Sequence, residues 1–273
     1  MDEKRVQDLL TKTEGIESWV AIEDGEVVAI GTIEAEHDRK TGVIQNLAFR
    51  PTFTSAAMEL LKHLASKARM NNLETVVLWT WENMNAMLDL ANQVGFQIRE
   101  KMSLMHANLA DGFVAPKAKS SFTVKSLADG ISIDDFVVAN RLAFEEDKSR
   151  PLERDELAYW IESSPGYRAD LQLAALDNDK IVGTVMSEYE KVIDASSKFC
   201  RAWVYGLGVV PDARRKGVAT CLVMELLHRL RECRVHDVWL LADLDGQARA
   251  FYETVGFHHA TVWIEFTASS NSF

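Results

Sequence analysis

Leu207-Gly-Val-Val-Pro-Asp-Ala-Arg-Arg-Lys-Gly-Val-Ala-Thr220 reads as the end of a strand, a proline turn and the start of a helix. Upstream, residues 202–209 form a strand-length apolar run. Downstream, Val218, Leu222, Val223, Leu226, Leu227 and Leu230 recur at helical period. The junction gathers three cations, Arg214, Arg215 and Lys216, beside the small residues Gly217 and Ala219. A helix start presents unpaired amides and the positive end of its dipole, which suits a diphosphate. Gly217 lets oxygen atoms approach the backbone, and arginine pairs with phosphate in a bidentate way. On these residues alone, a solvated basic helix start is an equal reading.

Working outward, a strand over 237–242 and a helix over 247–254 follow, then Gly256 and a closing strand near 261–266. Before the junction come a strand over 122–127, helices near 133–144 and 153–162, and a hairpin of 171–176 with 181–189. The first half repeats this order more briefly. A short helix carries Val6, Leu9 and Leu10, and strands 19–22 and 27–33 turn at Glu23-Asp-Gly25. A strand over 43–49, a helix over 57–68, a strand over 75–79 and a helix over 85–93 follow, with a last pair of strands between Phe96 and His106. Pro51 and Gly95 stand 44 positions apart, and Pro211 and Gly256 stand 45. Each proline follows a strand and each glycine precedes a phenylalanine, so the halves read as an internal duplication. The aperiodic, Gly-, Pro- and Ser-bearing stretch around 113–121 is the expected linker, with domains over 1–112 and 122–273.

Two motifs in the second half resemble the GNAT superfamily of N-acetyltransferases. The first is Leu207, Val209, Pro211, Arg214, Gly217 and Ala219, matching the strand end and glycine loop of that family. The second is Ala248, Phe251, Tyr252, Gly256 and Phe257. The resemblance implies a mixed α/β fold of two GNAT-like lobes, each a mostly antiparallel sheet with a central parallel, splayed strand pair flanked by helices. It implies acetyl transfer from acetyl-CoA to an amine of a small molecule or peptide. The backbone of Leu207, Gly208 and Val209 would bind the pantetheine arm. Arg214, Arg215, Lys216, Gly217, Val218, Ala219 and Thr220 would cradle the pyrophosphate, with Asp245, Ala248 and Phe251 flanking the cofactor. Asp245 stands where the family has asparagine. Tyr252 would be the general acid for the departing thiolate.

The resemblance often implies an acidic base on the strand before the loop, yet residues 201–209 contain no Asp or Glu. Glu188, Glu190, Glu145, Glu146 and a water held by Tyr205 are the candidates. Aligned from the shared proline, Arg214, Gly217 and Ala219 correspond to Thr54, Ala57 and Glu59, so the first lobe lacks the diphosphate recipe. A binding or sensing module that keeps the CoA cradle without turnover is the alternative from another class.

Composition sets outer bounds. The chain has 273 residues, 47% hydrophobic and 26% charged, as in ordinary globular proteins, and a formal charge of -11. That charge disfavours nucleic acid and anionic membrane surfaces, which are held through cationic contacts. Apolar runs are strand length, and the charged start lacks the apolar core of a secretory signal, so a cytoplasmic protein is expected. Cys200, Cys221 and Cys233 have no metal-ligand spacing, and the adjacent His258 and His259 face opposite ways on a strand; no metal is expected. The oligomeric state is not legible.

Overall fold

The computed structural model describes residues 2–5, 16–109, 122–145, 152–193 and 198–273. They pack as two units, Met1–Ser103 with Thr261–Phe273, and Leu104–Ala260.

The first unit begins with four successive antiparallel strands, β1 (Asp2–Arg5), β2 (Ile16–Glu23), β3 (Glu26–Glu36) and β4 (Thr41–Phe49). The β2–β3 turn falls on Asp24 and Gly25, both at positive φ, as that dipeptide favours. α1 (Thr54–Met70) buries Leu60, Leu61, Leu64 and Ala65, and it leads to β5 (Thr75–Trp81), which lies parallel to β4. α2 (Asn85–Val94) ends on Gly95 in the left-handed conformation that only glycine adopts cheaply. β6 (Gln97–Asn108) follows as one continuous strand, where a pair was expected. The helix expected around Val6, Leu9 and Leu10 lies outside the described residues.

The second unit contains β7 (Thr123–Ser126), α3 (Ile133–Ala143), α4 (Arg154–Ser163), β8 (Leu173–Asp177) and β9 (Lys180–Ile193). It continues with β10 (Lys198–Val209), α5 (Val218–Glu232), β11 (Asp237–Asp243) and α6 (Gln247–Thr254). β7 to β10 pair antiparallel, and β11 pairs parallel with β10. Alternation divides the sheet into two faces. Ala202, Val204, Val238 and Leu240 pack with the apolar stripe of α5 and with Tyr252 and Phe257. Phe136, Val137 and Leu157 of α3 and α4 pack with Ala174 and Met186 on the opposite face.

The last strand, β12 (His258–Ser269), completes the first unit: Trp263 through Ser269 pair antiparallel with Trp81 through Thr75. Ser270 Oγ then donates to Leu73 O at 2.6 Å, and the Phe273 ring meets Phe96 at 5.5 Å. Packing therefore divides the chain after Ser103 and returns residues 261–273 to the first unit. The linker expected over 113–121 lies outside the described residues. Periodicity locates strands but does not name their partners, which is why this exchange was not legible. Among the described residues no helix is long and apolar enough to cross a membrane.

Candidate active site

The parallel contact between β10 and β11 is short, running from Arg201 with Asp237 to Trp203 with Trp239. Beyond it the strands part, although β10 continues to Val209 and β11 to Asp243. β10 stays paired with β9 on its other side through a bulge, the register slipping between Tyr205 and Gly208. Gly206 takes φ 52° there, and a Cβ on it would come within 2.6 Å of Met186 Cε. Bulges re-aim a strand, and this one turns Leu207, Gly208 and Val209 out of the parallel pairing.

A residue absent from the sequence reading holds this bulge. Asn140, 4% exposed on α3, donates through Nδ2 to Thr184 Oγ1 at 3.1 Å and to Gly206 O at 3.4 Å. Its signal was available: a lone amide on a face otherwise made of Phe136, Val137 and Ala143. Gly208 is needed for a different reason, since a Cβ would sit 2.7 Å from both Ala143 Cβ and Phe144 Cε2.

After Val209, a short 3-10 turn over Pro211–Ala213 leads into residues 214–217. Arg215 and Gly217 both adopt positive φ, 64° and 87°. A Cβ on Gly217 would meet nothing of the chain within 4 Å, so within the protein its requirement is conformational. Gly217 is the N-cap of α5 and offers no side chain, and the first intrahelical bond is Cys221 N–H to Gly217 O at 3.0 Å. The amides of Val218, Ala219 and Thr220 consequently lack intrahelical acceptors.

The three cations divide. Arg214 donates from Nε to Val209 O and from Nη2 to Ala143 O, both at 3.2 Å, latching the turn to the ends of β10 and α3. Arg215 and Lys216 are exposed. Arg215 Nη1 donates to Gln247 Oε1 at 3.4 Å, which brings the turn to the start of α6. The two sequence motifs thus converge. Asp245 and Ala248 are exposed near that helix start, and Phe251 is half-buried against the core.

Tyr252 is buried on α6, its ring 5.2 Å from Phe251 and 5.6 Å from Phe257. Burial pushes its phenol well above the ordinary range, so it stays protonated. Of the acidic candidates, Glu190 is engaged by Arg201 Nε at 2.6 Å. Glu188 instead accepts from the Tyr205 hydroxyl at 3.5 Å, and its carboxyl is raised by burial first and by Glu190 second. Glu145 is exposed just beyond α3, and Glu146 lies outside the described residues.

Both halves of the chain are similar to known proteins. The model of the Acetyltransferase (GNAT) family matches residues 2–96 and 134–257, one match in each half. Over 114 residues the chain is 25% identical to N-alpha-acetyltransferase 30 of Schizosaccharomyces pombe, covering 41% of this chain and 71% of that protein. A GCN5-related N-acetyltransferase from Sphaerobacter thermophilus shares the fold with a TM-score of 0.73 at 19% identity, over 96% of this chain and 83% of that one. A tandem GNAT protein from the clavulanic acid biosynthesis pathway gives 0.67 at 17% identity, over 93% and 83% of the two chains. With a match in each half that together span most of its length, the chain belongs to the acetyltransferase (GNAT) family.

Proposed function

We propose that the second unit transfers an acetyl group from acetyl-CoA to an amine, and that the first unit holds no cofactor. One observation carries the reading: the turn over 214–217 caps α5 with a left-handed glycine beside the point where β10 and β11 part. The capless amides of Val218, Ala219 and Thr220, with exposed Arg215 and Lys216, fit a pyrophosphate. The unpaired edge over Leu207, Gly208 and Val209 fits the amide-bearing pantetheine arm, with Ala248 and Phe251 on its other flank. Arg214 serves as the latch that shapes the turn.

Acyl transfer then needs few groups. The neutral amine attacks the thioester carbonyl, its C–N bond forms and the C–S bond breaks. The leaving sulfur takes a proton, for which Tyr252 is the donor, and the nitrogen loses one to solvent or a carboxylate. An amide of the 207–209 edge is suited to hold the carbonyl oxygen as charge develops on it.

The first unit supports its cofactor-free reading by length alone. α1 starts three residues after Pro51, whereas α5 starts seven after Pro211. Thr54 to Ala57 are helix where the second unit keeps its open turn, and Ala57 is fully buried.

Calorimetric titration with CoA, beside thiol release from acetyl-CoA with an amine panel, tests the reading. Binding is expected in the wild type and not in Gly217→Glu. Asp245, exposed where the family has asparagine, favours the sensing alternative, which predicts binding with no thiol release.

A further inference from the structure

The face of the second unit opposite α5 carries a cluster that neither motif explains. Trp203 and Tyr205 alternate with the buried Ala202 and Val204 and therefore point away from α5. Their rings stack with centroids 6.5 Å apart and an interplanar angle of 17°. Glu188 is the register partner of Trp203, and its Oε2 lies 3.5 Å from the Tyr205 hydroxyl. Tyr167 adjoins them: its phenol is pushed up to about 12 by burial, then by the charges of Glu188 and Glu156. Trp160 of α4 stacks on Tyr167 at 5.2 Å.

The carboxylate is held rather than merely present. Tyr189 N–H donates to Gly166 O at 2.8 Å, and a Cβ on Gly166 would fall 2.9 Å from Glu188 Cγ. The backbone thus closes directly on the Glu188 side chain. Its neighbour Glu190 is paired with Arg201, while among the described residues Glu188 meets no cationic side chain within ion-pair distance. A half-buried carboxylate without a counter-ion, walled by rings whose faces are negative, is an arrangement that a cation relieves.

We propose that this niche is the acceptor subsite and takes its ligand as an ammonium ion, with Glu188 as counter-charge and Trp203, Tyr205 and Tyr167 as walls. The inference rests on the acetyl-transfer reading and narrows its acceptor to amines that arrive protonated on an aliphatic or N-alkylated carbon frame. Uncharged arylamines, hydroxyls and acidic peptides are poor ligands for it. The niche borders the bulge at Gly206, immediately before the edge over 207–209, so a nitrogen held here, once it has given one proton to the Glu188 carboxylate, stands as the neutral amine next to the proposed thioester position.

Choline and its uncharged isostere 3,3-dimethylbutan-1-ol separate charge from shape. Titrated into the CoA-loaded protein with tryptophan fluorescence as readout, choline is expected to bind roughly tenfold more tightly. Glu188→Gln and, independently, Tyr205→Leu are expected to erase most of that preference while CoA titration curves stay unchanged. Tyr205 is 39% exposed, so its variant folds even if the buried part of Glu188 does not tolerate change. Equal affinity for the two probes, or a choline preference that both variants retain, overturns the proposal. Failure of CoA to bind the wild type sinks the acetyl-transfer reading instead, and the two titrations are independent.

Discussion

Asn46 and Gly206 hold the same backbone torsion, φ 52°, at the same place in two strands. Each sits in the bulge of the strand that enters the parallel pair: β4 slips against β3 after Gln45, and β10 slips against β9 after Tyr205. Five residues beyond each comes the proline, Pro51 or Pro211. The two halves thus share the bulge, the proline and a short 3-10 turn, over Pro51–Phe53 and Pro211–Ala213, and diverge after it, where the first goes straight into α1 and the second makes the turn over 214–217. Asparagine and glycine are the residues that occupy this region most readily, and each half solved the bulge with one of them.

Gly217→Ala is expected to lower CoA affinity by about tenfold. Its left-handed conformation costs a residue with a Cβ about 1–2 kcal/mol, and the turn relieves that strain by closing over the amides of α5. Because a Cβ there meets open space, thermal unfolding should fall only slightly. A variant that binds CoA like the wild type would falsify the cradle.

Tyr252→Phe keeps the ring among Phe251 and Phe257 and removes only the hydroxyl. The rate of thiol release should fall by about 10²-fold, the lower end for positioned proton donors, with the KM for acetyl-CoA unchanged. The wild-type rate should show no limb attributable to this phenol below the alkaline range, since burial lifts its titration. Full activity in the variant assigns Tyr252 to packing alone.

How much of this was legible follows from which forces act locally. The strand end, the turn and the α5 stripe were readable because their period and composition are set by nearest neighbours, and Tyr252 followed from the resemblance of Ala248, Phe251, Tyr252, Gly256 and Phe257 to the family's second motif. Gly217 was found from its place in the junction, and the backbone adds a second reason for glycine there, a positive φ. Arg214 was grouped with its neighbours although its guanidinium turns back onto Val209 and Ala143. Glu188 stood among the acidic candidates and Asn140 was a lone amide on an apolar face, but which partners they and Tyr167 meet is set by tertiary packing between separate segments, and no local pattern carries that information.

Glu188 gives a pH signature with a definite sign. Burial and the charge of Glu190 raise its carboxyl, and only the Tyr205 hydroxyl opposes them; Tyr167 and Glu156 flank the same space. An ammonium acceptor needs the ionised form, so kcat/KM for the amine should be lost on acidification at a higher pH than an ordinary glutamate would produce. Glu188→Gln should abolish that limb. Its effect on stability runs the other way: a raised folded pKa contributes stability that is fully present below the ordinary glutamate value and is lost as pH rises through the raised one, so the glutamine variant should show a flatter stability profile between those two values. An acid limb identical in the variant would detach Glu188 from catalysis.

The return of β12 makes a prediction about folding that the duplication alone would not. Phe266 is fully buried and lies in β12 opposite Leu78 of β5, flanked by Ile264 and the Ser270 contact to Leu73. Phe266→Ala removes a large core side chain and should cost about 3–5 kcal/mol. The loss should appear in hydrogen exchange at residues 75–81, since these depend on β12 for one side of their ladder, while amides of α5 in the second unit keep their protection. Equal loosening of both units would show that they unfold as one cooperative block, and unchanged exchange in β5 would contradict the strand pairing itself.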